Sequence, residues 1–188
     1  MAETSNSIAN EAIQYIGDNQ PAVTGEAPNF DDSTAGKALK RFYGPVVAAV
    51  QRQWGWDASR NTVALALTGN TPAFGWLYEY LYPANGIQVW QLIDPASDPN
   101  NPLPVNWNEA NTTVGGTQKK VIQTNLAGAL VVYNNNPGPD VWDPLFRQAV
   151  VRLLASVCAM AIAGKPDTAQ NLLESGGAFE NLAESRAD

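Results

Sequence analysis

Histidine is absent from this chain, and cysteine occurs once, at Cys158. Without an imidazole there is no Ser-His-Asp or Cys-His nucleophile pair, and the usual zinc site of cysteine and histidine ligands cannot be assembled. What is left for catalysis is carboxylate, lysine, tyrosine and serine chemistry. Cys158 lies inside LLASVCAMAIAG, where a small buried apolar residue accounts for it better than a reactive thiol does. Charge is scarce too: 15% of the residues are Asp, Glu, Lys or Arg, against roughly 25% in an average soluble chain. The balance is acidic, with a formal charge of −7 and a pI near 4.5, which argues against a protein that grips nucleic-acid phosphates, since that needs a basic face. No basic segment followed by an apolar stretch opens the chain, so a secretory signal is not expected. The longest apolar run, Leu153 to Gly164, falls short of the roughly 20 residues that cross a bilayer. A soluble protein with no membrane partner is expected, in a reducing compartment or in a particle assembled there.

Apolar residues are plentiful, at 45% of 188, enough to core one ordinary domain or a helical part that carries a small second unit. The expected class is α+β: a helix bundle formed by the N- and C-terminal segments, 1–60 and 141–188, around an inserted antiparallel β domain, 61–140. A first helix is expected from Ser7 to Ile16 with Ser5 or Ser7 as its cap and Gly17 ending it. A second starts at Asp31 or Asp32 and follows Ala35, Leu39, Phe42, Val46 and Val50 toward Trp54, with a kink or break at Gly44-Pro45. The strongest helix signal is DPLFRQAVVRLLASVCAMAIAG, with Asp143 as N-cap, Pro144 at the first helical position, and Gly164 with Pro166 as the stop. Its near-continuous apolar content from Ala149 to Ala163 implies burial on more than one side. A last helix runs from Asp167 toward Ala187, weakened by Gly176-Gly177 at about 1 kcal/mol each relative to alanine.

Between the helices the texture is that of short strands. Val63, Leu65 and Leu67 alternate with Thr62, Ala64, Ala66 and Thr68; Ile87–Ile93, Val105–Glu109, Lys119–Thr124 and Ala129–Tyr133 follow, with a Pro/Asn/Asp loop at 94–104. One segment stands out, TPAFGWLYEYLYPAN, which places Phe74, Trp76, Tyr78, Tyr80 and Tyr82 at every second position. As a strand it carries all five rings on one face, which suits either a stacking platform for bases or sugars or the inside of a core. A base-stacking surface sits among basic residues, and no Lys or Arg occurs between Arg60 and Lys119, so the core reading is preferred. Glu79 alternates onto the opposite face and is read as an exposed strand glutamate, because glycosidase chemistry needs a second carboxyl group. VGGTQKK at 114–120 lacks phosphate-loop spacing and reads as a hairpin turn. Asp31-Asp32 reads as a helix-capping pair before it reads as an acid/base or metal pair. No cofactor is expected.

Placed in order, the segments IANEAIQYIG, DDSTAGKALKRFYGPVVAAVQRQWGW, TPAFGWLYEYLYPANGIQVWQLID, KVIQTNLAGALVVYNNN and WDPLFRQAVVRLLASVCAMAIAGKPDTAQNLL resemble the tail tubular, or head-to-tail adaptor, proteins of short-tailed bacteriophages. The likeness spans roughly residues 7 to 175 and rests on the ordered set, no single motif being diagnostic. It implies a structural, non-enzymatic virion protein of the tail or neck, assembled in the host cytoplasm as a twelve-membered ring. It implies partners on both rims, the portal protein and the tail nozzle, with DNA passing through the channel without specific binding. In this chain a run beyond the glycine pair, Asn181, Glu184 and Arg186, is the expected portal contact. The alternative is a carbohydrate-binding or lytic accessory protein that uses the aromatic strand and Glu79.

Overall fold

The computed structural model describes residues 3–17, 21–53, 56, 59–72, 75–98, 100–101, 103 and 105–184, the last eight of these by backbone alone. Among the described residues the fold is α+β, with four α-helices and three small antiparallel sheets. The chain divides into two compact units, residues 1–58 with 137–188 and residues 59–136.

In the helical unit, α1 (Ser5–Tyr15) starts earlier than expected because Thr4, and not a serine, caps it. Thr4 Oγ1 accepts from Ser7 N at 3.2 Å while Ser7 Oγ accepts from Thr4 N at 3.1 Å, a reciprocal box that satisfies two backbone donors at once. The helix buries Ile8, Ala9, Ala12 and Ile13. Asn10 clamps Val23 through both its backbone groups, at 2.8 and 2.9 Å, and so fixes the approach to a two-stranded ladder of β1 (Gly25–Glu26) and β2 (Asn29–Phe30).

The next helix, α2 (Thr34–Gln53), corrects two expectations. Its first turn is capped by Ser33, whose Oγ accepts from Gly36 N at 3.0 Å. Asp31 instead ties the ladder to the helix start, accepting from Thr24 N at 2.7 Å and Ser33 N at 3.0 Å. Of the kink or break expected at Gly44-Pro45, the break does not occur: the helix runs through Pro45. An interior proline costs about 3 kcal/mol, and burial of Leu39, Tyr43, Val46, Val47 and Val50 on the other face, at about 1.5–3 kcal/mol for each large side chain, outweighs it.

The central element is α3 (Pro144–Cys158), and here the sequence expectation holds at both ends. Asp143 Oδ1 accepts from Leu145 N at 2.8 Å with Pro144 in the first turn. A π-helical turn, Ala159–Ala163, then leads to Gly164 in the left-handed region at φ 58°. Phe146, Ala149, Val150, Val151, Leu154, Ala155 and Cys158 are all buried, and Phe146 meets Trp56 and Trp142 edge-on, with centroids 5.1 and 4.8 Å apart. Helices α1, α2 and α4 (Pro166–Glu184) all pack on α3. The run Pro144–Ala163, 20 residues of mean hydropathy 1.6, is long and apolar enough to cross a membrane by length and composition, which corrects the shorter span read from the sequence. Half of it is buried within the protein. Gly176 does not interrupt α4: a β-carbon there would stand 3.3 Å from Arg152 Cβ, so the glycine marks where α4 approaches α3 closely.

The β unit contains β3 (Arg60–Ala64), β4 (Tyr78–Leu81), β5 (Gln88–Ile93), β6 (Trp107–Val114), β7 (Thr117–Thr124) and β8 (Leu130–Asn134). One sheet has the order β3-β8-β5 and the other β4-β7-β6. The chain after β3 joins them: Leu65 N donates to Ala129 O beside β8, whereas Ala66 O and Thr68 N bond Leu81 N and Glu79 O of β4. Successive residues of a strand direct their backbone groups to opposite sides, so this segment carries one sheet on each edge. Gly115 and Gly116, both at positive φ, close the β6–β7 hairpin, the backbone that a two-residue turn of matching twist requires. Tyr80, Val89, Leu92, Ile122, Ala129 and Val131 form the core of this unit. The expected apolar strand face at 63–67 is covered only at Leu65; Val63 and Leu67 are 40% and 60% exposed.

Two solution measurements check this packing. Hydrogen bonds from the Ser33 hydroxyl, the Thr24 amide and the Ser33 amide lower the Asp31 carboxyl from 3.8 to about 2. Depressing a folded-state pKa adds stability that is complete above the unfolded value and is lost as pH falls through the folded one. The melting-temperature gap between wild type and Asp31→Asn is therefore full at pH 5, shrinks below pH 4 and closes near pH 2. Burial pushes the Cys158 thiol up to about 12, so the native protein at pH 8 does not react with a thiol-specific disulfide reagent, and one equivalent reacts once denaturant is added.

Candidate functional site

The aromatic segment is where the sequence placed its sharpest functional question. Among its described residues, Tyr78–Leu81 alone are strand. Gly75, at φ 99°, interrupts the extended run, and Trp76 lies half-buried ahead of β4; Phe74 falls outside the described residues. Tyr80 is buried, with its hydroxyl accepting from Gly128 N at 2.9 Å and donating to Leu126 O at 3.0 Å. Tyr78 stacks on it at 6.3 Å and, like Tyr82, packs half-buried against the core. The rings do not line up as an open ladder for a ligand. Basic residues do come near in space, although none is near in sequence: Lys120 Nζ sits 4.0 Å above the Tyr82 ring and 2.5 Å from Glu109. That cation is already engaged within the protein.

Glu79 is not the exposed glutamate expected; it is 3% exposed. It does face away from the rings, but the second face of its sheet is covered as well. Thr68 Oγ1 donates to it at 3.0 Å, Asn70 Nδ2 at 3.3 Å and Gln123 Nε2 at 3.0 Å. Asn70 Nδ2 also donates to Thr113 O at 3.1 Å. One carboxylate therefore gathers the segment after β3, the central strand β7 and the tip of the β6–β7 hairpin. A buried carboxylate needs such donors, because leaving it unmatched costs more than an ordinary lost hydrogen bond. No second carboxyl group stands with it among the described residues that bond it, so the pair required for glycoside hydrolysis is not assembled.

Elsewhere, Asp32 pairs with Lys40 at 2.6 Å on the surface, and Asp31 works within the loop described above. Among the described residues no group of three or more His, Cys, Asp or Glu could hold a metal. An open groove of about 520 Å³ runs along α1, lined by Ser7, Asn10, Glu11, Gln14 and Tyr15. Arg147 pairs with Glu11 and Glu3, and the Arg152 guanidinium lies 3.9 Å over the Tyr15 ring, so these arginines hold α1 to α3. Of the expected portal-contact residues, Asn181 and Glu184 lie in α4 where only the backbone is described, and Arg186 lies outside the described residues.

No protein-family model matches this chain, and no curated protein matches it in sequence.

The Glu79 cluster yields a test that separates support from catalysis. Replacing Glu79 by alanine strands the donors of Thr68, Asn70 and Gln123, and chemical denaturation should show a loss of about 2–4 kcal/mol. A stability equal to wild type, with loss of binding to peptidoglycan, would instead make Glu79 a ligand-facing group.

Proposed function

We propose that this chain is a head-to-tail adaptor of a short-tailed bacteriophage virion, a structural ring subunit placed between the portal and the tail nozzle. The observation that carries the reading is the order of the five quoted segments, from IANEAIQYIG to the DPLF helix and its successor, along nearly the whole chain. The α+β organisation supports it: terminal segments fold together as one unit, and the β segments form a second unit inserted between them. The low charge content and the abundance of Asn, Gln, Thr and Ser suit broad polar contacts between subunits. The alternative, a carbohydrate-binding or lytic protein, loses its main support, since Tyr80 and Glu79 are buried.

In this role the last helix docks on the portal, and DNA passes the ring without being read. Deleting residues 178–188 should abolish co-sedimentation with assembled portal while circular dichroism and the melting temperature stay close to wild type. Undiminished portal binding by the deletion variant would reject Asn181, Glu184 and Arg186 as the contact.

A further inference from the structure

Charge in the helical unit is sorted by helix. Helix α2 contains Lys37, Lys40, Arg41 and Arg52 and no acidic residue. Helix α4 contains Asp167, Glu174, Glu180 and Glu184 and no basic residue. In a chain with 15% charged residues and a net charge of −7, one helix thus carries charge of positive sign alone and another charge of negative sign alone. Both pack on α3, with no comparable packing between them, and among the described residues no ion pair joins them.

The outward side of α2 has the shape of a contact surface. Lys37, Lys40, Arg41 and Arg52 are all exposed, and at 100° per residue they fall within one broad stripe. Asp32 of the same chain pairs with Lys40 at 2.6 Å and lies in the field of Lys37 as well. Exposed Gly44 sits mid-stripe, with exposed Pro45 beside its edge. Apart from its chain neighbours and the adjoining backbone of its own helix, no described residue lies within 4 Å of where a Gly44 β-carbon would be, so packing among the described residues does not call for a glycine that costs about 1 kcal/mol against alanine in a helix. A low, flat step between cations suits close approach by a second helix. On α4, Asp167 and Glu174 are exposed, seven residues apart and so on one side of the helix.

We propose that the basic stripe of α2 docks against the acidic first half of α4 of a second copy of this chain. With one such contact per neighbour the pairing is heterologous: each joined pair leaves one α2 and one α4 free, and the array either closes as a ring or grows as a filament. The complement of the basic stripe lies on the chain itself, which is why the occupant is another copy and not a nucleic acid, for which the net acidity is unfavourable. The pairing deepens the ring reading above and rests on it only for closure.

The test is mass photometry and sedimentation of the full chain, with melting temperature as a folding control. Wild type should assemble at low salt and dissociate as salt rises, because exposed pairs are screened beyond about 8 Å at physiological ionic strength. Lys37→Glu with Arg41→Glu should weaken assembly at least about a hundredfold, and so should Asp167→Lys with Glu174→Lys. Mixing the two double variants should restore assembly, since each then offers the charge that the other lacks. Reversed variants that assemble like wild type, mixtures that stay as dissociated as their components, or a wild type monomeric at every salt concentration would each overturn the pairing. If α2-reversed chains still form closed rings, the α2–α4 contact is wrong and the adaptor reading stands. If wild type forms salt-sensitive filaments that the mixture restores, the contact stands and the ring reading fails.

Discussion

The helical unit depends on enclosing α3. A helix that buries Phe146, Ala149, Val150, Val151, Leu154, Ala155 and Cys158 is apolar on more than one side and gains little from water on any of them. Helices α1, α2 and α4 each commit their own apolar stripe to it. That commitment turns their polar sides outward, and it is why the cations of α2 and the carboxylates of Asp167 and Glu174 on α4 are exposed. Arg147 and Arg152, on α3's less buried side, are instead consumed in holding α1, by ion pairs to Glu3 and Glu11 and by contact with the Tyr15 ring.

In the β unit the corresponding constraint is Glu79. Two three-stranded sheets share a small core on one side, but a unit of this size gains stability by covering the second side of its sheet as well. Thr68, Asn70 and Gln123 converge on the Glu79 carboxylate, and Asn70 carries the contact on to the hairpin tip. A chemically suggestive residue beside tyrosines is thereby a structural bracket. The same reasoning reassigns the rings: Tyr80 spends its hydroxyl on the turn at 126–128 and has nothing left to offer a ligand.

What could be read from the sequence was what local chemistry decides alone. Asp143-Pro144 and Gly164 delimit α3 because capping, proline at the first turn and a left-handed glycine act within a few residues. Gly115-Gly116 fixes a hairpin for the same reason. The misreadings share a cause of opposite kind, tertiary context. The period-two pattern of 74–82 persists through a loop at Gly75 that alternation alone does not reveal. Glu79 was expected to be exposed because alternation assigns a face, not whether that face is covered. Pro45 and Gly176 signal weakness in an isolated helix, yet one is outweighed by burial on the opposite side and the other permits a close helix crossing. The charge sorting between α2 and α4 was present in the sequence throughout; it acquires meaning only once α3 is known to lie between their apolar faces.

An electron cryomicroscopy map of the assembled particle addresses the central claim most directly, because it shows which surface of one subunit meets which surface of the next. The account predicts a closed ring in which Lys37 and Arg41 of each subunit face Asp167 and Glu174 of its neighbour. Two-fold pairing of subunits, or a ring in which the α2 stripe faces solvent or the channel, would contradict it.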